Sequence, residues 1–512
     1  EHRGRTGFLE SDSVGPDYGL REFHYEKSVT WNYVLPKVSI EKKIAPLYNH
    51  NAVGITYSLK SEFPLTFTLT PWFAFRDHCE VENRPFAHMT YHKKKKDTVS
   101  IQSRLYSGHE ILMKISCGDI VQSEKLEARI AEYKTDRING DDRGDCFFTP
   151  CQIKVAVEAG KTSVIGLVFA MDELPELSAG EIVASYEERT NGILKHMQGA
   201  SVFEKRLFIA ADQFIAKRTS TDSPTVLAGF PWFSDWGRDT MIAFPGLFLS
   251  TGRYKEGKKV LLSFSRYLKD GLIPNVFPEG GELPAYNTVD ASLWYVIAIF
   301  RYYETTGDWP TVEKKLLPDI KKIIDKYQNG TVYNIHMDSD GLITAGNENT
   351  QLTWMDVWIN GYAVTPRHGK PVEINALWYN ALKIASRLIS LSSANGSEYE
   401  ILAGKVIKSF RKRFWNPLTR CLYDVVDPVD PSIRPNQLYA ISLPFPLLPE
   451  KKAQAVFEIA RKELEDVYGI RSLSIFSDRF KPEYSGSLEK RDNAYHMGTS
   501  WGFLYGTYLE SC

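Results

Sequence analysis

The sequence predicts a multidomain β + α protein: an antiparallel β-sandwich over residues 1–178, a helical linker at 179–198 and an all-helical body over 199–512. Three observations lead there. At 512 residues the chain exceeds what one ordinary hydrophobic core organises. Before about residue 200, apolar and polar residues alternate in short runs, the period of half-buried strands. From about residue 180 the apolar spacing lengthens to that of amphipathic helices.

In the first part the runs are Ser39–Ile44, Ala52–Leu59, Leu65–Trp72, Ile153–Val157 and Thr162–Phe169. Each is rich in Val, Ile, Thr or aromatic residues and is broken off by Gly or Asn, as antiparallel strands require. Lys93 to Lys96 is a four-lysine run expected at a solvated hairpin tip. In the second part, helices are expected near 180–197, 201–217, 238–251, 254–269, 288–306, 310–328, 372–393, 398–414, 435–446, 450–465 and 494–509. Gly252, Gly271, Gly307 and Gly341 fall where helix ends and tight turns belong. The polar stretch Asn329 to Pro371 is a long loop, and loops of that length generally carry function.

Composition narrows the possible partners. A net charge of −1 supplies no basic field for nucleic acid. No apolar run is long enough to span a membrane, and the first residues are too polar for a secretory signal. The six cysteines follow no ligand or disulfide spacing, so free thiols in a cytoplasmic protein are expected. The eleven histidines show no metal-binding pattern, and neither metal nor cofactor is implied. Aromatic residues stand out: 27 Tyr, 27 Phe and 11 Trp, many in polar neighbourhoods.

The densest such neighbourhood is Phe230-Pro-Trp-Phe-Ser-Asp-Trp-Gly-Arg-Asp-Thr240. An indole face covers the C–H side of a sugar ring, while charged forks grip its hydroxyls. Trp232, Trp236, Arg238 and Asp239 supply both kinds of group on one short stretch. The alternative is a core-facing helix start in which Asp239 only caps or pairs with Arg238.

Several further segments follow in order: Gly271-Leu-Ile-Pro-Asn275, Tyr286-Asn-Thr-Val-Asp290, Thr353-Trp-Met-Asp356, Thr365-Pro-Arg367 leading to Pro371-Val-Glu-Ile374, Arg434-Pro-Asn-Gln437, and Arg491-Asp-Asn-Ala-Tyr-His-Met-Gly498 ending at Trp501. Together with Trp236-Gly-Arg-Asp-Thr240, this series resembles the glycogen debranching enzyme family, in its amylo-α-1,6-glucosidase part. The β-rich first part, with Phe73-Ala-Phe-Arg-Asp-His78, looks like that family's N-terminal domain.

The resemblance implies an (α/α)6 toroid with its active site in the loops at one end of the rings. Ten helices beyond the linker are read where the toroid has twelve. The chain is therefore expected to lack the last helical pair and to start late. The implied activity is hydrolysis of α-1,6-linked glucose at the branch points of glycogen or limit dextrin, with a short oligosaccharide as the other possible ligand. An inverting hydrolase of this kind needs a general acid and a general base roughly 6.5–9.5 Å apart.

The resemblance places the acid at Asp356, where Trp354 could desolvate the carboxyl and keep it protonated. A helix cap or loop-fixing aspartate is the ordinary alternative. The base is expected beyond Cys512; Glu373, Glu279, Glu282 and Asp290 are weaker stand-ins. Arg238 and Asp239 would hold the terminal glucose, Trp232, Trp236 and Tyr286 would stack on it, and Asn275 and Asp290 would extend the hydrogen-bond ring. Arg367 and Glu373 form either a pocket-shaping pair or a structural ion pair. His496 lines the pocket or is a core histidine. Two other readings stay open: a trehalase-like or glycosylglycerate-type toroid hydrolase, and a catalytically dead glycan-binding relative.

Overall fold

The computed structural model describes residues 19–512, apart from 26, 77–80, 82–87, 141–143, 196, 198, 230–231, 278–282 and 393. Glu279, Glu282, Asp77 and His78 thus lie outside the described residues. The chain divides into two compact units, Glu1–Asp212 and Gln213–Cys512.

The first unit is antiparallel β. One sheet orders its strands Leu20–His24, Val29–Leu35, Val38–Pro46, Ala52–Ser61, Thr162–Met171, Glu110–Ile115, Thr98–Ser103 and Met89–Lys95. A second sheet is made of Leu65–Leu69, Asp145–Val157 and Asp119–Ala131. Alternation puts Leu59, Ile101, Met113, Ile165 and Leu167 of the first sheet into one core with Phe67, Leu69, Phe148, Ile153 and Val155 of the second. The four lysines stand at the exposed end of the hairpin formed by Met89–Lys95 and Thr98–Ser103.

The helix Ala179–Leu194 falls where a linker is expected, and it packs on the large sheet. Ser178 and Glu181 close a reciprocal capping box at its start, and Ile182 and Val183 are buried. Gly54 makes the contact possible, because a Cβ there would lie 2.8 Å from the Ala179 carbonyl oxygen.

The second unit alternates two kinds of helix. Gly237–Phe244, Ala291–Thr306, Val372–Leu391, Tyr439–Ser442 and Leu504–Glu510 pack successively against one another. The long members, Ala291–Thr306 and Val372–Leu391, are buried on nearly every side. Between them in sequence come Tyr254–Arg266, Leu317–Asn329, Ser397–Arg413 and Glu450–Glu463, each burying one stripe and exposing the rest. The pattern is an inner row of helices covered by an outer one, built around a single apolar core. A four-stranded sheet of Ile215–Arg218, Ser223–Gly229, Phe233–Trp236 and Val276–Phe277 precedes and flanks the first inner helix.

Several helices differ from expectation: the one near 201–217 is Val202–Gln213 followed by the strand Ile215–Arg218, the one near 310–328 includes a π-turn over Val312–Leu316, and the one near 435–446 is a 3₁₀ turn followed by the short helix Tyr439–Ser442. The one near 238–251 widens into a π-turn over Pro245–Leu249, since Pro245 has no N–H for the regular α-helical bond. The one near 494–509 is interrupted. Gly498 sits at φ +144°, Ser500–Trp501 pairs as a strand with Gly469–Arg471, and only Leu504–Glu510 is helical. No described helix is long and apolar enough to cross a membrane.

Candidate active site

The N-terminal ends of the inner helices bring the chemistry together. Arg238 and Asp239 open the first of them, and Asp290 immediately precedes the second. Trp354 and Asp356 lie on the long loop leading to the third. His496 and Trp501 lie on the segment leading to the last. The turn into the first helix is tight: Gly237 N–H donates to the Asn275 carbonyl at 2.7 Å. A Cβ at Gly237 would stand 2.0 Å from the Pro274 carbonyl oxygen, so only glycine fits.

A cavity of about 450 Å³ lies over these ends. Its polar wall is Arg238, Asp239, Asp356 and His496, and its aromatic wall includes Phe233, Trp236, Trp354, Tyr495, Trp501 and Phe503. The mixture suits a sugar, with ring faces for C–H surfaces and charged groups for hydroxyls.

The Leu352 carbonyl accepts from Val289 N–H at 3.0 Å and from Arg238 Nη2 at 3.4 Å, which fixes the 352–356 loop beside the first two inner helices. Arg238 then reaches both neighbouring carboxylates. Its Nε donates to Asp290 Oδ2 at 2.7 Å and its Nη1 to Asp356 Oδ2 at 3.4 Å. Asp356 keeps 37% of its side-chain surface open, towards the cavity it lines. Burial among apolar walls raises its pKa above the ordinary carboxylate range, Arg238 opposes that, and the charge on Asp290 adds to it. Asp239 is raised in the same way, again against Arg238.

His496 is buried, and burial together with Arg434, Arg238 and Arg367 holds it neutral, well below its usual pKa. Its Nδ1 has no protein partner. The ring stacks on Trp501 and meets Trp354 edge-on at 5.3 Å. Arg434 Nη1 donates to the carbonyls of Ser472 and His496, tying this segment down.

Residues 209–512 match the amylo-alpha-1,6-glucosidase family, and residues 12–164 match the family described as glycogen debranching enzyme N terminal. The chain belongs to the amylo-alpha-1,6-glucosidase family. Among its relatives, the glycogen debranching enzyme of Saccharomyces cerevisiae (strain ATCC 204508 / S288c) is 26% identical over 416 residues, 61% of this chain and 27% of that protein. The chain thus spans about a quarter of that relative's length. Among solved structures, a bacterial glucoamylase complexed with acarbose superposes with a TM-score of 0.55 at 10% identity, over 94% of this chain and 74% of that one. At that identity the likeness shows the fold: β sheets followed by a helical toroid-type body.

In this amylo-alpha-1,6-glucosidase family member, the cavity unites Trp236, Arg238, Asp239, Trp354, Asp356 and His496 of the residues singled out in the sequence. The others stand elsewhere. Trp232 is 71% exposed and outside the cavity lining. Tyr286 donates its hydroxyl to the Tyr267 carbonyl at 2.8 Å. Asn275 is buried and bonds Asn287 at 3.3 Å. Asp290 meets the cavity only through Arg238.

Arg367 and Glu373 form a buried pair that the cavity does not touch. Arg367 Nη2 donates to Glu373 Oε2 at 2.6 Å, and its Nε donates to Asp424 Oδ2 at 2.7 Å. Asn436 joins this network to the cavity wall: its Nδ2 donates to Asp424 at 2.8 Å, and its Oδ1 accepts from Trp354 Nε1 at 2.7 Å. Phe233, Tyr495, Trp501 and Phe503 are cavity residues that sequence reasoning left unassigned. Trp501 and Tyr495 stood inside a quoted motif, so the signal was there. Among the described residues no His, Cys, Asp and Glu cluster is arranged to hold a metal ion.

Proposed function

We propose that this chain removes α-1,6-linked glucose from the branch stubs of glycogen or limit dextrin, with Asp356 as the general acid of an inverting hydrolysis. The observation that supports this reading is that Asp356 opens onto the same cavity as Arg238 and Asp239. A terminal glucose gripped by Asp239 and Arg238, with its faces against Trp236 and Trp354, would present its glycosidic oxygen to Asp356. A carboxyl kept protonated by its apolar surroundings can then give that oxygen its proton as the C1–O bond breaks. His496, neutral and with one ring nitrogen unpartnered, would bond a sugar hydroxyl.

Inversion also needs a base on the opposite face of the ring to activate water. Among the described residues, the carboxylates lining the cavity are Asp239 and Asp356. Asp239 stands beside Arg238 at the opening of one helix, where the two can hold sugar hydroxyls together, so we give it the binding role and leave the base unassigned. Residues 199–512 would form the catalytic domain, 1–178 the β domain and 179–198 the segment between them. The cytoplasm is the setting we propose, consistent with free thiols at Cys117, Cys151, Cys421 and Cys512.

The test compares glucose release from a branched limit dextrin, trehalose and maltose, with the anomer of the first product followed by NMR. Release of β-glucose from the dextrin alone is expected. Release from trehalose would move the chain to the trehalase-like reading. Tight glucan binding without release from any substrate would make it a glycan-binding protein.

A further inference from the structure

Asp290 stands apart from the other charged groups around the cavity. It is buried, it precedes the helix Ala291–Thr306 without capping it through its side chain, and it is absent from the cavity lining. One of its oxygens takes the Arg238 Nε at 2.7 Å, and the other has no protein partner. The same guanidinium reaches Asp356 from its other edge at 3.4 Å. Arg238 is therefore shared unequally between two carboxylates, and the shorter bond goes to the one absent from the cavity lining.

We infer that Asp290 is a positioning residue for the acid: it claims the Arg238 guanidinium and so leaves Asp356 free to keep its proton. The inference rests on the reading of Asp356 as the proton donor. An uncompensated cation this close lowers a carboxyl by roughly one to three pH units, which would leave the acid ionised at neutral pH. Asp290 offsets that cation in two ways. It neutralises Arg238, and its own negative charge disfavours a second one on Asp356. Asp290 lies at the start of a 16-residue helix, where backbone N–H groups favour negative charge. The other charged or titratable groups facing Asp356 are Asp239 on the Arg238 helix and Tyr495 and His496 on the segment after Leu488–Ala494. His496 is neutral and Tyr495 is pushed up to about 12, so neither replaces the charge of Asp290.

The test is the pH profile of kcat/KM on branched dextrin for the 512-residue chain, its Asp290→Asn and its Asp290→Glu variants. In Asp290→Asn the basic limb, where the donor loses its proton, should move to lower pH by about one unit or more. In Asp290→Glu it should return most of the way. A uniform drop in kcat/KM with both limbs unmoved would overturn the inference and leave Asp290 a purely structural residue.

A second measurement needs no turnover. The Asp356 carboxyl is titrated by infrared difference between each protein and its Asp356→Asn counterpart. The protonation midpoint should fall in Asp290→Asn and rise in Arg238→Gln, and an unmoved midpoint in either overturns the inference. If Asp290→Asn does not fold, Asp290→Asn is made in the Arg238→Gln background, where loss of the Asp290 charge should still lower the midpoint relative to Arg238→Gln alone, and an unmoved midpoint overturns the inference. A chain that hydrolyses no glucan would defeat the functional reading while this titration still decides the role of Asp290.

Discussion

The helical unit holds two clusters of buried charge joined through Asn436, and they are built to different standards. In the Arg367 cluster, Arg367 donates to both Glu373 and Asp424, and Asn436 donates to Asp424 to complete the set. On the cavity wall, Asp356 leaves 37% of its side-chain surface open, Asp239 lines the cavity beside it, and His496 has a nitrogen with no protein partner. Both clusters arise from motifs of the same kind, an arginine with carboxylates near aromatic residues. Paired burial makes architecture, whereas unpaired capacity beside a cavity is held for a ligand.

Four substitutions can break or sharpen that contrast. Asp356→Asn should have the largest effect, lowering hydrolysis by roughly 10²–10⁴-fold while oligosaccharide affinity stays within a few-fold. Loss of binding by calorimetry, with the fold intact, would instead make Asp356 a substrate clamp. Arg367→Met strikes the paired cluster and leaves Glu373 and Asp424 buried without their cation. It should cost about 3–5 kcal/mol in urea unfolding. A cost near zero would mean that this network contributes nothing to the architecture.

Asp239→Asn should reverse that balance. Affinity for a terminal glucose should fall by about 1–3 kcal/mol, as expected when a charged hydrogen-bond partner is lost. Stability should rise at neutral pH. Because the folded protein raises Asp239 above its ordinary value of 3.8, ionising it works against folding. That penalty is absent below the unfolded value and sets in as pH increases towards the raised one. The gain in Tm should therefore be present at pH 7 and fade as pH approaches 4. A variant that melts lower than the parent at every pH would return Asp239 to a capping and pairing role. Trp232→Ala should do least, staying within about 0.5 kcal/mol in both stability and glucan affinity.

Much of this was legible in the sequence, for reasons that differ by region. Period-two runs became strands nearly where expected, as with Ala52–Ser61 and Thr162–Met171, because each had one face to bury. Ala291–Thr306 and Val372–Leu391 were equally readable from length and apolar content. The cavity residues Trp236, Arg238, Asp239, Trp354, Asp356 and His496 came from motif order, which no periodicity could supply. Asn275 and Tyr286 share motifs with the site but lie outside the cavity lining: the Tyr286 hydroxyl donates to the Tyr267 carbonyl, and the Asn275 amide nitrogen donates to Asn287 while its oxygen has no protein partner. Phe503 in the aromatic wall was obscured because 494–509 scans as one helix, whereas Trp501 stood at the end of a motif with no role assigned to it. The break there depends on Gly498, where a Cβ would meet the Lys481 carbonyl oxygen at 2.4 Å, a tertiary contact invisible to local pattern.

The close seating of Gly237 against Pro274 bears on how such a site can diversify. Backbone touches backbone there, so the anchor for Arg238 and Asp239 has no side chain through which drift could retune it. Variation in the cleft would have to enter from the opposite side, in the segments bearing Trp354, Tyr495 and Phe503, while the placement of Arg238 and Asp239 stayed the same.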